Sequence, residues 1–366
     1  MTKSIKRDEL MVNNQAITLK LLDEQAPLGA GHFAQVIMAT FQSQKNHGIP
    51  SKPVAIKKLM DGASSPEERR KFHEEAYFMM QLDHENIIHL YGTCQLQEEV
   101  HLLVMEFAEG GSLQTFLQSQ LQPNPQHLCT NGQLLQFCKD IAAACEYMKE
   151  KKFIHRDLKT ENILLQMTKE RVRTFSYHLH RNHDHHHHPQ FIAKVSDFGL
   201  AREISHGPSY HISPYNFLAP TRHTAPEGLS NGDFTMKSDV WSFGVLIWQM
   251  YHFGATPMRH KYTDREIHAI ICIRKETVLD HPCPADIRVE MPPEVQHKMV
   301  QSLAYKPDER PTFNELHEFF ANIHTDVVKE QRDLCESPIK QLPPRAEDGS
   351  APAPVHTAGI IGPAYA

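Results

Sequence analysis

The sequence has few cysteines, and nothing in their spacing pairs them. Seven cysteines are scattered over 366 residues, and their number is odd. No CxxC spacing occurs, so neither a disulfide framework nor a zinc cage is predicted. Unpaired thiols are typical of a reducing compartment, and we therefore expect an intracellular, cytoplasmic protein.

A long apolar run is also missing. The most apolar stretch, residues 240–251, is too short to span a bilayer. The amino-terminal MTKSIKRDEL has no apolar core of the kind that a signal peptide needs. We expect a soluble protein without a membrane span.

An excess of positive charge is absent as well. Lys and Arg number 38 against 44 Asp and Glu, which gives a formal net charge of -6. This balance argues against a nucleic-acid partner. With 40% hydrophobic and 22% charged residues, the chain has a globular composition, and it is long enough for two packed lobes with short extensions.

Three stretches differ in composition from a packed domain. Residues 1–19 are polar, residues 166–190 change from basic residues to a histidine cluster, and residues from about 323 to 366 are rich in Pro, Ala and Gly. None has the apolar periodicity that a core requires. We predict an N-terminal extension, an inserted loop and a disordered tail.

Between these stretches, the pattern of apolar residues changes once. From about 20 to 104 the apolar residues alternate in short runs around one strong helix signal, which predicts a sheet-rich lobe. From about 112 to 322 the apolar spacing is helical. The predicted fold class is α+β, with a small β-rich N-lobe containing one key helix and a larger, mainly helical C-lobe.

A glycine turn lies early in the sheet-rich lobe. In LGAGHFAQV, Gly29 and Gly31 are two residues apart and Val36 follows in a strand-turn-strand pattern. Glycine lets backbone N–H groups approach phosphate oxygens without a side chain in the way. Ala34 stands where the third glycine of a GxGxxG motif would be. Alone, the pair indicates only a turn.

A buried ion pair is predicted between the next strand and helix. PVAIKKL reads as a strand with Ala55 and Lys57 on one face. The following helix begins with a capping box at Ser65 and Glu68 and places Glu75 on its apolar stripe. A carboxylate there requires a cation, and Lys57 is the expected partner.

The segment FIHRDLKTENILL contains a charged loop between two apolar runs. Asp157 can accept the proton of an incoming hydroxyl, and Lys159 can neutralise a moving phosphoryl group. Asn162 offers a carbonyl oxygen to magnesium, and Asp197 of VSDFGL supplies a second, anionic ligand. These segments occur in the order of a kinase signature.

With these motifs, the chain from about 20 to 322 resembles a eukaryotic protein kinase domain, closest to the tyrosine kinase and tyrosine-kinase-like group. The resemblance implies a bilobal kinase fold with an N-lobe over about 20–105, a hinge over about 106–111 and a C-lobe over about 112–322. It implies ATP, Mg²⁺ with Mn²⁺ as an alternative, and protein substrates; it says nothing about oligomeric state. The expected catalytic residues are Asp157, Lys159, Lys57 and Arg156, and the expected metal ligands are Asn162 and Asp197.

The same resemblance implies a nucleotide site in which Met105 guards the back of the adenine pocket and the hinge runs from Glu106 to Ala108. The expected nucleotide-site residues are Leu28, Gly29, Gly31, Val36, Ala55, Lys57, Glu75, Met105, Glu106, Ala108 and Leu164. Two structural roles are also implied. Glu227 should pair with Arg310, and Asp239 should brace the catalytic loop.

The motifs disagree on which hydroxyl is phosphorylated. Lys159 and Glu161 resemble serine/threonine kinases, whereas KSDVWSFGVLIWQMYHFGATPM and Pro220 resemble tyrosine kinases. We expect tyrosine, with a serine/threonine kinase of the tyrosine-kinase-like group as the alternative. A pseudokinase scaffold is the second alternative, although no catalytic residue is missing.

Two regulatory features are predicted. Arg156 is the arginine that pairs with a phosphorylated activation loop in this family, and Tyr210 and Tyr215 are the candidate phosphorylation sites. The histidine-rich insert could bind zinc or copper. We expect it to be a solvated low-complexity loop instead.

Overall fold

The computed structural model describes the following residues, on which every structural statement rests: 10–12, 15–21, 28–30, 34–43, 52–59, 65–96, 100–122, 129–168, 191–204, 207, 209–212, 220–258, 262–281 and 290–330. Gly31, Tyr215 and the histidine cluster lie outside these residues. The predictions made for them therefore stay predictions.

A seven-stranded antiparallel sheet forms the N-lobe. Its strands are β1 Leu10–Val12, β2 Gln15–Leu21, β3 Gly29–Ala30, β4 Ala34–Ser43, β5 Lys52–Leu59, β6 Leu90–Leu96 and β7 Val100–Glu106. Their order is β1-β2-β4-β5-β7-β6, with β3 paired to β4. The register sets Val36 opposite Lys57 and Ala55 opposite Met105. The predicted site residues of these strands therefore lie side by side.

Helix α1, Pro66–Met80, is the key helix of the N-lobe. Ser65 caps it by accepting a hydrogen bond from the Glu68 N–H, and the Glu68 carboxylate accepts from the Ser65 N–H. This is the predicted capping box, which satisfies donors that an uncapped helix leaves open. Phe72 and Met79 are buried on the face that carries Glu75. The helix is thereby held against the sheet with its carboxylate inward.

The C-lobe is mainly helical, as predicted. Its helices are α2 Leu113–Ser119, α3 Asn131–Glu150, α4 Pro226–Asn231, α5 Met236–Tyr251, α6 Asp264–His268, α7 Pro293–Ser302 and α8 Phe313–Glu330. A π-helical turn, Ala269–Ile273, continues α6. Helix α5 contains the most apolar stretch of the sequence and is buried along almost its whole length, so that stretch is core.

Short antiparallel strand pairs carry the loops of the C-lobe. They are β8 Phe153–Ile154 with β11 Arg202–Glu203, β9 Ile163–Met167 with β10 Phe191–Val195, and β12 Tyr210–His211 with β13 Asp233–Phe234. The β9–β10 hairpin joins the loop after Ile154 to the segment that begins at Ser196. The charged loop before β9 and the Asp197 segment after β10 are therefore brought to the same end of the hairpin.

The ordered elements reach beyond three predicted boundaries. Strand β1 and the start of β2 lie within the expected N-terminal extension, because QAITLKL alternates and pairs with both β1 and β4. Strand β9 includes Gln166 and Met167, which pair with β10, so the hairpin takes in the start of the expected insert. Helix α8 continues to Glu330, into the expected tail. No helix in the described part of the chain has both the length and the apolar character of a membrane span.

Candidate active site

The predicted ion pair between β5 and α1 is present. The Lys57 Nζ lies 2.7 Å from both carboxylate oxygens of Glu75 and 3.1 Å from Asp197 Oδ1. The side chains of Lys57 and Glu75 are 14% and 3% exposed. Burial opposes the charge of Lys57, but the two carboxylates outweigh it and raise the pKa of Lys57. Lys57 is therefore a fixed cation at all relevant pH values.

The charged loop after β8 gathers the predicted catalytic side chains. The Lys159 Nζ lies 2.8 Å from the Asp157 carboxylate, and the Asn162 Nδ2 donates to the same carboxylate at 2.8 Å. Burial raises the pKa of Asp157, although Lys159 and Asn162 act in the opposite direction. A carboxylate held by a cation and an amide, with a raised pKa, suits the acceptance of a hydroxyl proton.

Asp197 is brought to the same place by the β9–β10 hairpin. Ser196 donates from its N–H and its hydroxyl to the Asn162 carbonyl oxygen, both at 2.9 Å. Asp197 itself has a left-handed φ of 62°, and its side chain is 46% exposed. Burial would raise its pKa, but Lys57 outweighs that effect and lowers the pKa of Asp197. The Asp197 carboxylate is therefore ionised and partly accessible to a ligand.

Two buried side chains hold the catalytic loop. Asp239 of α5 accepts from the N–H groups of His155 and Arg156 at 2.7 and 2.8 Å. The His155 Nδ1 accepts from the Asp157 N–H at 3.2 Å, and its Nε2 lies 3.1 Å from the Ser196 carbonyl oxygen. Because burial lowers the pKa of His155, the neutral ring can serve both partners. The loop is thus tied to α5 and to the Asp197 segment.

The donor set fits a hard divalent cation. Both hydrogen bonds from the Asn162 amide nitrogen go to Asp157, one to its backbone oxygen and one to its carboxylate. The amide oxygen of Asn162 is left as a ligand atom, and the second oxygen ligand would be the carboxylate of Asp197, the residue after Ser196, which is hydrogen-bonded to Asn162. Oxygen ligands of this kind suit Mg²⁺. Within the described residues, no cluster of three or more His, Cys, Asp or Glu side chains forms a separate metal site.

Most of the predicted nucleotide-site residues that the structure describes lie on neighbouring strands of the N-lobe sheet, close to Lys57. Ala55, Met105 and Ala108 are buried in the core, with Val36 and Leu164 packed against it. Leu28 is half exposed, and its N–H donates to the Val36 carbonyl oxygen at 2.8 Å, beside the pairing of Gly29 in β3 with β4. After β7, Gly110 and Gly111 pair with Leu165 of β9, so the hinge runs directly onto the C-lobe.

An ion pair that the sequence did not predict links the hinge to β10. The Lys194 Nζ lies 3.0 Å from Glu106 Oε2, and both side chains are largely buried. Lys194 lies on β10, three residues before Asp197. The pairing partner lies 88 positions away in the sequence, and a strand with one lysine gives no signal that could have identified it.

The predicted structural pair between Glu227 and Arg310 is present and bidentate. Two guanidinium nitrogens of Arg310 lie 2.7 and 2.9 Å from the two carboxylate oxygens of Glu227. Arg310 also donates to the carbonyl oxygens of Ala304, Tyr305 and Lys237. Every face of this buried cation is satisfied, which is the condition for a stable buried charge.

The candidate regulatory Tyr210 lies between two arginines. The Arg156 guanidinium is 5.2 Å from the Tyr210 ring, and the Arg202 Nε donates to the Tyr210 hydroxyl at 3.3 Å. Arg202 also lies 3.6 Å from Glu74 of α1. The sequence predicted Arg156 as a partner of a phosphorylated residue but did not predict Arg202. Arg202 lies on β11, and its position near Tyr210 follows from the pairing of β11 with β8.

With this geometry in place, comparison with known proteins gives one family and several relatives. The family model described as "Protein tyrosine and serine/threonine kinase" matches residues 22–320. The human "Proto-oncogene tyrosine-protein kinase ROS" is 32% identical over 326 residues, which is 87% of this chain and 12% of that protein.

Two further relatives give similar values. The "Tyrosine-protein kinase transforming protein ros" of UR2 avian sarcoma virus is 34% identical over 289 residues, covering 78% of this chain and 64% of that protein. The "Tyrosine-protein kinase SYK" of Gallus gallus is 30% identical over 321 residues, covering 87% of this chain and 45% of that protein. The chain therefore spans less than two thirds of the length of each.

Proposed function

We propose, from the premise that the chain belongs to the protein tyrosine and serine/threonine kinase family, that it transfers the γ-phosphoryl group of ATP to a tyrosine hydroxyl of a protein substrate. One observation carries the proposal. Glu75, Lys57 and Asp197 form one continuous set of contacts of 2.7–3.1 Å, and Ser196 joins it to Asn162 and the catalytic loop.

The roles follow from the positions of the side chains. Lys57, fixed by Glu75, would bind phosphate oxygens with its ammonium group. Asp157 would accept the proton of the attacking hydroxyl, while Lys159, 2.8 Å away, would offset charge on the transferred group. Phosphoryl transfer depends mainly on positioning and charge neutralisation, which these groups would provide.

Asn162 and Asp197 are proposed to hold Mg²⁺, with Mn²⁺ as an alternative. The bound ion would neutralise charge on the phosphate oxygens and orient them. What the chain contributes is a fixed pair of oxygen ligands on two adjoining segments. The tie from Ser196 to the Asn162 carbonyl oxygen keeps those segments together.

Tyrosine is favoured by the relatives, whose names are those of tyrosine kinases. Pro220 lines the same cavity as Lys159, and the Lys159 Nζ is 2.8 Å from the Asp157 carboxylate, so an acceptor phenol at Asp157 would lie near that proline. Lys159 itself supports the alternative, a serine/threonine kinase, because it contacts the catalytic carboxylate directly.

The proposal is tested by incubating the protein with γ-labelled ATP, Mg²⁺ and mixed Tyr, Ser and Thr peptides, followed by phosphoamino-acid analysis. Label on tyrosine is expected from the wild type, and Lys57→Met should abolish it. Lys58→Met on the same strand is the matched control and should retain turnover. Equal turnover in wild type and Lys57→Met would contradict the proposed role, and label on serine or threonine alone would establish the alternative.

Phosphorylation of Tyr210 is proposed as a regulatory event. A phosphate on Tyr210 would lie near both Arg156 and Arg202 and could pair with each guanidinium. Because Arg202 also contacts Glu74, this pairing would link the phosphorylated segment to α1. Mass spectrometry after incubation with ATP should find phosphate on Tyr210. Absence of phosphate on Tyr210, with phosphate present on an added peptide, would contradict this, whether or not Tyr215 is modified.

We also propose an intracellular, cytoplasmic location. Cys129, Cys138, Cys145 and Cys272 are free thiols in the described part of the chain. Free thiols are typical of a reducing compartment.

A further inference from the structure

The side chain of Gln114, on α2, lies between two segments that are far from it in the sequence. Its Nε2 donates to the Gly254 carbonyl oxygen at 2.8 Å, in the turn that follows α5. Its Oε1 lies 2.5 Å from the hydroxyl oxygen of Thr160, in the catalytic loop. These partners are 140 and 46 positions away from Gln114. One side chain therefore joins three parts of the C-lobe.

The chemistry of the two partners fixes the orientation of the Gln114 amide. A backbone carbonyl oxygen can only accept a hydrogen bond, so the amide nitrogen must face Gly254. The amide oxygen then faces Thr160, and the Thr160 hydroxyl must be the donor. The Glu161 carboxylate is a second acceptor for that hydroxyl, but it is more distant, at 3.3 Å. Because Thr160 is fully buried, loss of the Gln114 acceptor would be costly.

Glycine at position 254 permits the close approach of Gln114. Gly254 has a left-handed φ of 73°, which glycine adopts without strain. A Cβ at this position would lie 2.7 Å from the Gln114 Oε1, which is too close for non-bonded atoms. The Gly254 N–H donates to the Gln249 carbonyl oxygen of α5 at 2.8 Å. Gln114 is therefore bonded to the end of a helix that is buried along almost its whole length.

Helix α2 is itself held at its start, next to the hinge. The Gly110 N–H donates to the Leu165 carbonyl oxygen at 2.8 Å, and the Leu165 N–H donates to the Gly111 carbonyl oxygen at 2.9 Å. Ser112 caps α2 by accepting from the Thr115 N–H at 3.1 Å. The helix that carries Gln114 is thus fixed to β9, the strand that follows the catalytic loop.

Thr160 begins the short 3₁₀ turn Thr160–Asn162, which holds the catalytic carboxylate. The Asn162 amide donates to the Asp157 backbone oxygen and carboxylate at 2.9 and 2.8 Å. The Asn162 N–H donates to the Lys159 carbonyl oxygen at 3.0 Å. Lys159 and Asn162 both contact Asp157, and Thr160 lies between them in the chain. A shift of Thr160 would therefore disturb both groups that hold Asp157.

We propose that Gln114 is a positioning residue for phosphoryl transfer. By holding Thr160 against the end of α5, it keeps Asp157 in the geometry that the transfer requires. Its loss should lower kcat and leave the KM for ATP unchanged, because Lys57, the proposed phosphate ligand, is held by Glu75 in the N-lobe. This inference rests on the proposed function, since it adds a residue to the same site.

The test compares Gln114→Leu and Thr160→Val, alone and combined, with the wild type. Each single change removes the hydrogen bond with little change in side-chain size, and each should lower kcat about tenfold. The double variant should be no slower than Gln114→Leu, because the same hydrogen bond is already lost. Thr160→Ser keeps the hydroxyl and should retain the wild-type kcat. Gln118→Leu, which changes an exposed glutamine one turn further along α2, is the matched control and should also retain it.

Hydrogen exchange measured by mass spectrometry gives a readout that does not depend on activity. Backbone amides of residues 155–162 should exchange faster in Gln114→Leu than in the wild type, and at the wild-type rate in Gln118→Leu. Unchanged exchange in Gln114→Leu would overturn the inference.

The kinetic outcomes are equally decisive. Losses of kcat that multiply in the double variant would overturn the inference, as would equal losses in Thr160→Ser and Thr160→Val or a raised KM for ATP in Gln114→Leu. A wild type that transfers no phosphoryl group would contradict the proposed function, and the exchange of residues 155–162 would then decide this inference on its own.

Discussion

At the scale of single residues, burial and ion pairing shift the pKa values of two aspartates of the site in opposite directions. Asp157 and Asp197 are both aspartates near a lysine. Asp157 is largely buried and its pKa is raised, whereas contact with Lys57 lowers the pKa of Asp197. One carboxylate is suited to accept a proton, and the other remains an anion that can hold a cation.

The pH dependence of catalysis should report on the contact between Lys159 and Asp157. Asp157 must be ionised to accept a proton, so kcat falls as the pH drops through its raised pKa. Lys159 opposes that rise, and Lys159→Met should therefore move the acidic limb of the kcat profile to higher pH. Lys151→Met, on an exposed turn, is the control. An acidic limb at the same pH in wild type and Lys159→Met would contradict the assignment.

Asp140 provides a test of stability rather than activity. It is buried and accepts from the Ala193 N–H at 2.9 Å and from Gln136 at 2.6 Å. Burial raises its pKa to about 6. The folded state then binds a proton more tightly than the unfolded state, so this group favours folding below pH 6 and costs stability as the pH rises through 6.

Asp140→Asn should accordingly gain stability relative to the wild type as the pH rises from about 4 to 8, by up to about 3 kcal/mol. Urea unfolding across that range measures the difference. A constant difference between the two proteins at all pH values would show that Asp140 does not titrate as described.

At the scale of elements, much of the site could be predicted because its determinants are local. The capping box of Ser65 and Glu68 fixed the start of α1, and helical spacing then placed Glu75 on the buried face. The period of β5 placed Lys57 on the face that meets it. The loop from His155 to Asn162 is compact, so its chemistry could be interpreted from adjacent residues.

The remaining contacts could not be predicted, because they depend on how elements pack. Lys194 meets Glu106 only when β10 lies beneath the hinge. Arg202 reaches Tyr210 and Glu74 only after β11 pairs with β8. Strands β2 and β9 and helix α8 extend beyond the expected boundaries for the same reason. Packing against a neighbouring element can stabilise a strand or helix whose composition alone does not predict it.

The bidentate ion pair between Glu227 of α4 and Arg310 should contribute more to stability than any exposed ion pair. The Arg310 side chain is fully buried, and its loss would leave the Glu227 carboxylate with the Ser238 hydroxyl as its donor in place of a paired cation, and would remove a donor from three carbonyl oxygens. Arg310→Met should destabilise the protein by about 3–5 kcal/mol. Thermal or chemical unfolding is the readout. Lys306→Met, which removes an exposed ion pair, should change stability by less than about 1 kcal/mol; equal effects of both changes would refute the argument.

At the scale of the whole molecule, the two lobes are joined at β10, the strand that leads to Asp197. Val195 donates to the Asn86 carbonyl oxygen and accepts from Ile88, at 2.8 and 3.0 Å. Asn86 also donates from its side chain to the Ala193 carbonyl oxygen at 3.2 Å. These residues follow α1, so the helix that carries Glu75 is fixed relative to β10. The contact between Lys57 of the N-lobe and Asp197 of the C-lobe therefore depends on how the two lobes pack together.

The central claim is that these separated residues form one centre for phosphoryl transfer, with Asp157 as the proton acceptor. The most direct test is the single-turnover rate of Asp157→Asn at saturating ATP and Mg²⁺, with Asp308→Asn, an exposed C-lobe aspartate, as the control. Loss of a general base should slow transfer by about 10²–10⁴-fold. We predict a drop of that size in Asp157→Asn and none in the control. A single-turnover rate equal to that of the wild type would contradict the account.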